Sequence, residues 1–203
     1  MSEPPPISRF PVPSLDSLPA DIRDRIQAVA DRTGFVPNVF LALAHRPDEW
    51  RAFFAYHDAL MERESGLTAI EKEQIVVATS AANDCLYCVV AHGAVARVRA
   101  RSPLIADQVA VDWRKADLTP RQRAMLGFAV RLATRPAEVA EADLAELRGH
   151  GFSEDDIWDI GAITALFALS NRIAHLSAMR PNDEFYLMGR VPKEVYSELV
   201  NPA

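Results

Sequence analysis

The segment Thr68-Ala-Ile-Glu71-Lys-Glu73-Gln-Ile75-Val-Val-Ala-Thr-Ser-Ala-Ala82-Asn83-Asp84-Cys85-Leu-Tyr87-Cys88-Val-Val-Ala-His92 decides how this chain folds. Thr68 with Glu71 three residues later is a capping-box signature that starts a helix. After one polar turn, Ile75 to Ala82 leaves almost no polar face, the pattern of a helix enclosed on every side. Asn83 and Asp84 are good N-cap types, which predicts a second helix with Cys85 in its first turn. In that helix Cys85 and Cys88 are i and i+3, and Cys88 and His92 are i and i+4, so all three side chains share one face. Unpaired N–H groups and the helix dipole at its start favour a thiolate.

Outward from this segment the chain reads as all-α. Thr119-Pro-Arg-Gln122 is a capping box with proline at the first helical position, and Ser153-Glu-Asp-Asp156 is a close variant. Helical spacing of apolar residues predicts further helices over Ala20 to Thr33, Pro37 to Ala44 and Asp48 to Glu64, punctuated by Gly34, Pro47 and Gly66. No sustained alternation of the kind a half-buried strand requires is present. Residues 1–19 hold six of the fourteen prolines, among them Pro4 and Pro5, and are expected to form an extended arm lying on the body or on a neighbouring subunit. Residues 20–203 are expected to be a single domain, with a site-bearing half over about 20–110 and a second half over about 111–190. A shift of 85 residues lays Leu67-Thr68 on Phe152-Ser153 and the enclosed helix on Ile157 to Leu169. It also sets Cys85, Cys88 and His92 against Ser170, Ile173 and Ser177, and predicts a helix break near Ala168-Leu169-Ser170.

At 203 residues the chain can bury one substantial core. Its net charge of -6 disfavours a polyanionic partner, so nucleic acid is not expected. The longest apolar run, Ile160 to Leu169, is far too short to cross a membrane, and the N-terminus lacks the basic and apolar regions of a signal peptide, so a cytoplasmic location is the default expectation. In a reducing compartment a lone Cys-x-x-Cys is more often catalytic or metal-binding than a structural staple.

Glu73 lies twelve residues before Cys85, and a tight turn at Asn83-Asp84 could return its carboxylate to His92. A carboxylate there would fix the tautomer of the imidazole and raise its basicity, giving a relay from Glu73 through His92 to Cys88. The plain alternative is an exposed glutamate in a helix's first turns; Glu71 reads as the cap. For the cysteines, the rivals are a buried apolar pair and a zinc site made from Cys85, Cys88, His92 and a carboxylate. Structural zinc sites usually take two ligand pairs from separate segments, and no second cysteine pair exists. Haem attachment needs histidine where Val89 stands, and a thioredoxin-like site needs strands that are absent. His57, among aromatics in Phe53-Phe-Ala-Tyr-His57-Asp58, is a candidate pocket residue, with a satisfied core or boundary histidine as its plain reading. His45, His150 and His175 carry no signal, and Asn171-Arg172 reads equally as a buried polar anchor or a subunit contact.

The spacing of Glu73, eleven residues, Cys85-x-x-Cys88, three residues and His92 resembles the core signature of the alkylhydroperoxidase D (AhpD)-like group of the carboxymuconolactone decarboxylase superfamily. Gly34-Phe-Val-Pro-Asn-Val-Phe40, Ala55-Tyr-His-Asp-Ala-Leu-Met61, Ser80 to His92 and Met179-Arg-Pro-Asn-Asp-Glu-Phe-Tyr186 are similar to its uncharacterized peroxidase-related branch, so the resemblance covers most of the chain. It implies an all-α fold of two weakly repeated helical halves and a homo-oligomer. It also implies a hydroperoxide substrate and an external dithiol or lipoyl-type reductant, with no metal or organic cofactor. Carried over, Cys88 is the peroxidatic cysteine, Cys85 the resolving and proton-donating one, and His92 with Glu73 the proton relay. The best-studied members have a histidine just before the second cysteine, where this chain has Tyr87, a second candidate pocket residue. The helix dipole acts more on Cys85 than on Cys88, so the imidazole is expected to act on Cys88. The rival functions are a decarboxylase acting on a lactone acid and a non-enzymatic redox-sensing or zinc-holding oligomer.

Overall fold

All three capping signatures start helices in the computed structural model, which describes residues 6–192 and 195. The helices in chain order are α1 (Ala20–Thr33), α2 (Asn38–Leu43), α3 (Pro47–Met61), α4 (Ala69–Ala82), α5 (Leu86–Ala100), α6 (Ile105–Asp112), α7 (Pro120–Thr134), α8 (Glu141–Gly149), α9 (Glu154–Ser177) and α10 (Glu184–Leu187). Short 3-10 turns lie at Leu15–Ser17 and Pro136–Glu138, and no strand occurs among the described residues. In each capping box the Ser or Thr hydroxyl takes the N–H three residues on, and the side chain there reaches back to the cap. The all-α expectation therefore holds.

The α4 helix is the axis of the molecule, packed against α5, α6, α7 and α9. Ile75, Val76, Val77 and Ala78 are all buried in succession, which only a helix surrounded on every side allows. Burying each such β-branched side chain is worth about 1.5–3 kcal/mol. The enclosure also takes Glu71, Lys72 and Glu73 out of water, and each finds partners. Glu71 closes its cap and pairs with Arg121, while Lys72 Nζ donates to the carbonyls of Leu60 (2.9 Å) and Arg63 (2.6 Å). The helix α3 ends at Met61, three residues short of the expected Glu64, where the buried ammonium donates to carbonyls left open at and just past its end.

The expected break near Ala168-Leu169-Ser170 does not exist: α9 runs unbroken for 24 residues. The first segment reverses at Asn83-Asp84, whereas apolar and small residues carry α9 through the matching stretch. A second, smaller core joins α1 to α3 through Ile22, Ile26, Trp50 and Phe54. Gly34, in the left-handed region at φ 90°, ends α1 where expected. Of the arm, Ile7 and Arg9 pair through their backbones with Arg180 and Ser177 (3.1 and 2.8 Å); Pro4 and Pro5 lie outside the described residues.

The segment around α10 closes one side of a cleft. Buried Arg97 of α5 donates to the carbonyls of Phe185 (2.6 Å) and Met188 (3.0 Å), and Arg190 grips Asp107 with two bonds of 2.8 Å. Asn182 accepts the Asn38 N–H (2.7 Å) and donates to the Val36 carbonyl (2.9 Å), tying the same segment to the start of α2.

Gly66 touches the α9 cap so closely that a methyl group there would lie far inside contact distance of the Asp156 carboxylate, which is held by the Ser153 N–H (2.9 Å) and hydroxyl (2.8 Å). Gly66→Ala is expected to cost about 1–3 kcal/mol through loss of that cap, measured as a lower urea midpoint at unchanged slope.

Candidate active site

The reversal between α4 and α5 builds the site. The Asp84 N–H bonds to the Ala81 carbonyl (3.0 Å) and the Cys85 N–H to the Ser80 carbonyl (2.9 Å), with Asp84 left-handed at φ 54°. This is a Schellman ending for α4, and aspartate tolerates the left-handed position better than most residues. Asn83 and Asp84 thus finish α4 rather than cap α5, correcting the sequence reading. The N-cap of α5 is Cys85 itself, not a first-turn residue, and Cys88 is the third residue of the helix.

The consequence is electrostatic. Cys85 and Cys88 are both free thiols and both buried. No regular capping bond closes on the Cys85 sulfur, yet it stands against the Cys88 thiol and backbone N–H. Donation from the Cys88 thiol is the main cause that brings Cys85 down to about 6, outweighing burial; the Cys88 N–H, the charge of His175 and the Asn171 amide add to it. Cys88 is pushed well up, first because its proton serves Cys85, then by burial and the nearby Cys85 charge. Ser170, whose Oγ lies 3.6 Å from Cys88 Sγ, and Asn171 act the other way.

Asn171 is a buried polar anchor, one of the two readings its sequence left open. Its amide donates to Ser80 Oγ (3.0 Å) and its oxygen accepts from Asn83 (3.0 Å). His175, without signal in the sequence, bonds through Nε2 to the Asn83 carbonyl (2.9 Å).

Glu73 is only 3% exposed, which removes the reading of an exposed glutamate. Its Oε2 lies 2.8 Å from His92 Nδ1, and its Oε1 lies 3.6 Å from Arg99 Nε. A carboxylate only accepts, so Nδ1 carries the proton and Nε2 of a neutral His92 is left as a base. The edge of the imidazole packs on Phe167, with ring centroids 4.7 Å apart.

Cys88, His92, Ser170, His57 and Tyr87 open onto one cavity of about 480 Å³, whose lining does not include Cys85. Phe40, Phe53, Phe54 and Phe185 make its walls apolar. Both candidate pocket residues therefore reach it. His57 bonds through Nδ1 to Asp58 (3.2 Å), which is paired with Arg25 (2.9 Å). Burial, then the charge of His92, lowers the His57 pKa and keeps it neutral. The Tyr87 hydroxyl accepts the Val39 N–H (3.0 Å), and burial raises its pKa. No group of three or more His, Cys, Asp or Glu side chains suited to a metal ion occurs among the described residues.

The carboxymuconolactone decarboxylase family pattern matches residues 47–103, from the start of α3 past the end of α5. The crystal structure of an uncharacterized peroxidase-related protein with an alkylhydroperoxidase AhpD core, from Ralstonia eutropha JMP134, is 66% identical. It superposes with a TM-score of 0.91 over 94% of this chain and 100% of that one. The chain belongs to the AhpD-like carboxymuconolactone decarboxylase family. A second AhpD-like relative, an uncharacterized peroxidase-related protein from Silicibacter sp. TM1040, is 38% identical, with a TM-score of 0.88 over 94% of this chain and 100% of that one. The debrominase Bmp8 shares the fold at 21% identity, with a TM-score of 0.70 over 93% of this chain and 98% of that one. No curated protein sequence matches the chain. No helix among the described residues is long and apolar enough to cross a membrane.

Within this AhpD-like site, sequence reasoning missed Ser170 and Arg99. Ser170 sits in an apolar helix with nothing local to mark it, while Arg99 lies seven residues after His92 on the same face of α5, a spacing that could have flagged it.

The two thiols titrate as a pair. Thiolate absorbance at 240 nm is expected to rise in two steps with increasing pH, one centred near 6 and one well above the ordinary thiol range. Below the first step both sulfurs are protonated, and between the steps the pair carries one charge. Cys85→Ser is expected to abolish the low step.

Proposed function

We propose that the protein is a thiol-dependent reductase of alkyl hydroperoxides. The observation carrying this reading is that Cys88 is the sulfur open to an apolar cavity, in the same wall as an imidazole anchored by a buried carboxylate. In the resting pair the charge sits mainly on Cys85. Passing the Cys88 proton to Cys85 or to His92 Nε2 puts it on Cys88.

The Cys88 thiolate then attacks the terminal oxygen of the hydroperoxide. The O–O bond breaks, a sulfenic acid forms, and the alkoxide leaves as the alcohol after taking the displaced proton. Cys85, as thiolate, attacks the Cys88 sulfur; the S–S bond forms and hydroxide leaves, becoming water with a proton drawn from solvent through His92 Nε2. An external dithiol or lipoyl-type reductant returns the disulfide to two thiols by exchange. Glu73 holds the His92 tautomer and offsets the imidazolium charge while it lasts. The phenylalanine walls favour hydroperoxides with a bulky apolar group over hydrogen peroxide. Self-association is supported by Trp158, Leu169 and Leu176, exposed apolar residues along one face of α9.

Stopped-flow mixing of reduced protein with cumene hydroperoxide, followed by mass spectrometry, tests the reading. Rapid intramolecular disulfide formation is expected in the wild type, with Cys88→Ser inert and Cys85→Ser halted at the sulfenic acid. Glu73→Gln is expected to slow oxidation at least about tenfold. Thiols that outlast excess peroxide for minutes would sink the peroxidase reading. Turnover of a lactone acid surviving replacement of both cysteines by serine would favour the decarboxylase instead.

A further inference from the structure

The dithiol has a charge to place and two sulfurs to place it on. Most of what surrounds the pair puts it on the wrong one for the proposed reaction. Cys85 receives the Cys88 thiol proton, the Cys88 N–H and the field of His175. Both cysteines are buried, and burial together with the nearby Cys85 charge pushes Cys88 up. His92 stands one turn along α5, and neutral His57 faces the same cavity.

Two residues of α9 act on the sulfurs from the opposite wall. Asn171 has its oxygen taken by Asn83 and an amide hydrogen by Ser80, and it favours the thiolate of both cysteines, so it does not choose between them. Ser170 touches Cys88 alone. Its Oγ lies 3.6 Å from Cys88 Sγ, and this hydroxyl makes no other hydrogen bond among the described residues. Its proton is therefore available to the sulfur. The contact needs α9 to continue as helix through Ser170, where the 85-residue register had suggested a break.

We propose that Ser170 is a catalytic residue whose hydroxyl donates to the Cys88 sulfur and so eases the passage of the negative charge from Cys85 onto Cys88, the sulfur that attacks. A donor aimed at one member of a dithiol shifts the shared charge toward that member. This deepens the peroxidase reading by naming what makes the cavity-facing sulfur the attacking one, and it rests on that reading for its catalytic meaning.

The test uses the full chain carrying Cys85→Ser, where Cys88 is the single thiol and absorbance at 240 nm reports its ionisation alone. Ser170→Thr and Ser170→Val have nearly the same shape and differ in the hydroxyl, and Ser170→Ala removes it without adding bulk. The Cys88 titration is expected to move up by about one pH unit in the Ala and Val variants. In the Thr variant it should stay near the parent. The rate of Cys88 alkylation by iodoacetamide at neutral pH should fall roughly tenfold in step with that move. With Cys85 restored, the oxidation rate by cumene hydroperoxide should fall by a similar factor in the Ala and Val variants. Thr and Val titrating alike, or Ala titrating like the parent, would overturn the assignment. If the titration and alkylation shift as expected while no variant, nor the wild type, reacts with peroxide, the action of Ser170 on Cys88 stands and the peroxidase reading fails.

Discussion

A carboxylate taken out of water must be met by charge, and Glu73 is the point where this chain meets that demand. Left alone inside α4 it would cost several kcal/mol. Its partners, His92 and Arg99, both lie on α5, so the chain has to reverse between the helices at a fixed register. The turn at Asn83-Asp84-Cys85 supplies the reversal. Because the last residue of that turn is also the first cap of α5, the register that satisfies Glu73 simultaneously places Cys85 at the helix mouth and Cys88 one turn inside it. The ion pair and the dithiol geometry are two results of one backbone event.

The remaining parts of the site come from elements far apart in sequence. The α2 and α3 helices contribute Phe40, Phe53, Phe54 and His57, α9 lays Ser170 and Asn171 beside the sulfurs, and the strap around α10 brings Phe185 and Met188. The strap stays in place through backbone carbonyls gripped by buried Arg97 and through Asn182 at the start of α2. Apolar packing holds the strap as well, since Phe185 is buried and meets Phe35 edge-on with ring centroids 5.0 Å apart.

Three helix starts were legible in the sequence to the residue, since a capping box is a local bargain among four neighbours: Thr68, Thr119 and Ser153 each did as expected. So was the enclosure of α4, which needs only the absence of a polar face. The end of α4 was misread because asparagine and aspartate serve both ends of a helix, and only the left-handed backbone at Asp84 tells which. The predicted interruption of α9 failed because an 85-residue register carries hydrophobic pattern but not turn chemistry. Glu73 was open between an exposed and a buried reading until its partner nineteen residues away was in view. Ser170 and Asn171 were out of reach for a deeper reason: what a polar residue touches across a helix interface is written in the packing angle, not in the residues beside it.

The position of Cys85 at the mouth of α5 also bears on electron flow. A thiolate held first by the Cys88 thiol and then by the Cys88 N–H at the helix start stabilises the reduced dithiol, and a neutral disulfide there would give up that stabilisation. Any disulfide closed between Cys85 and Cys88 is therefore biased to accept electrons, as low-pKa dithiols are in general. In the proposed redox cycle, the same surroundings that make one sulfur acidic would make the oxidised pair a poor place for the protein to rest, and the first turn of α5 a spring wound by oxidation and released by reduction.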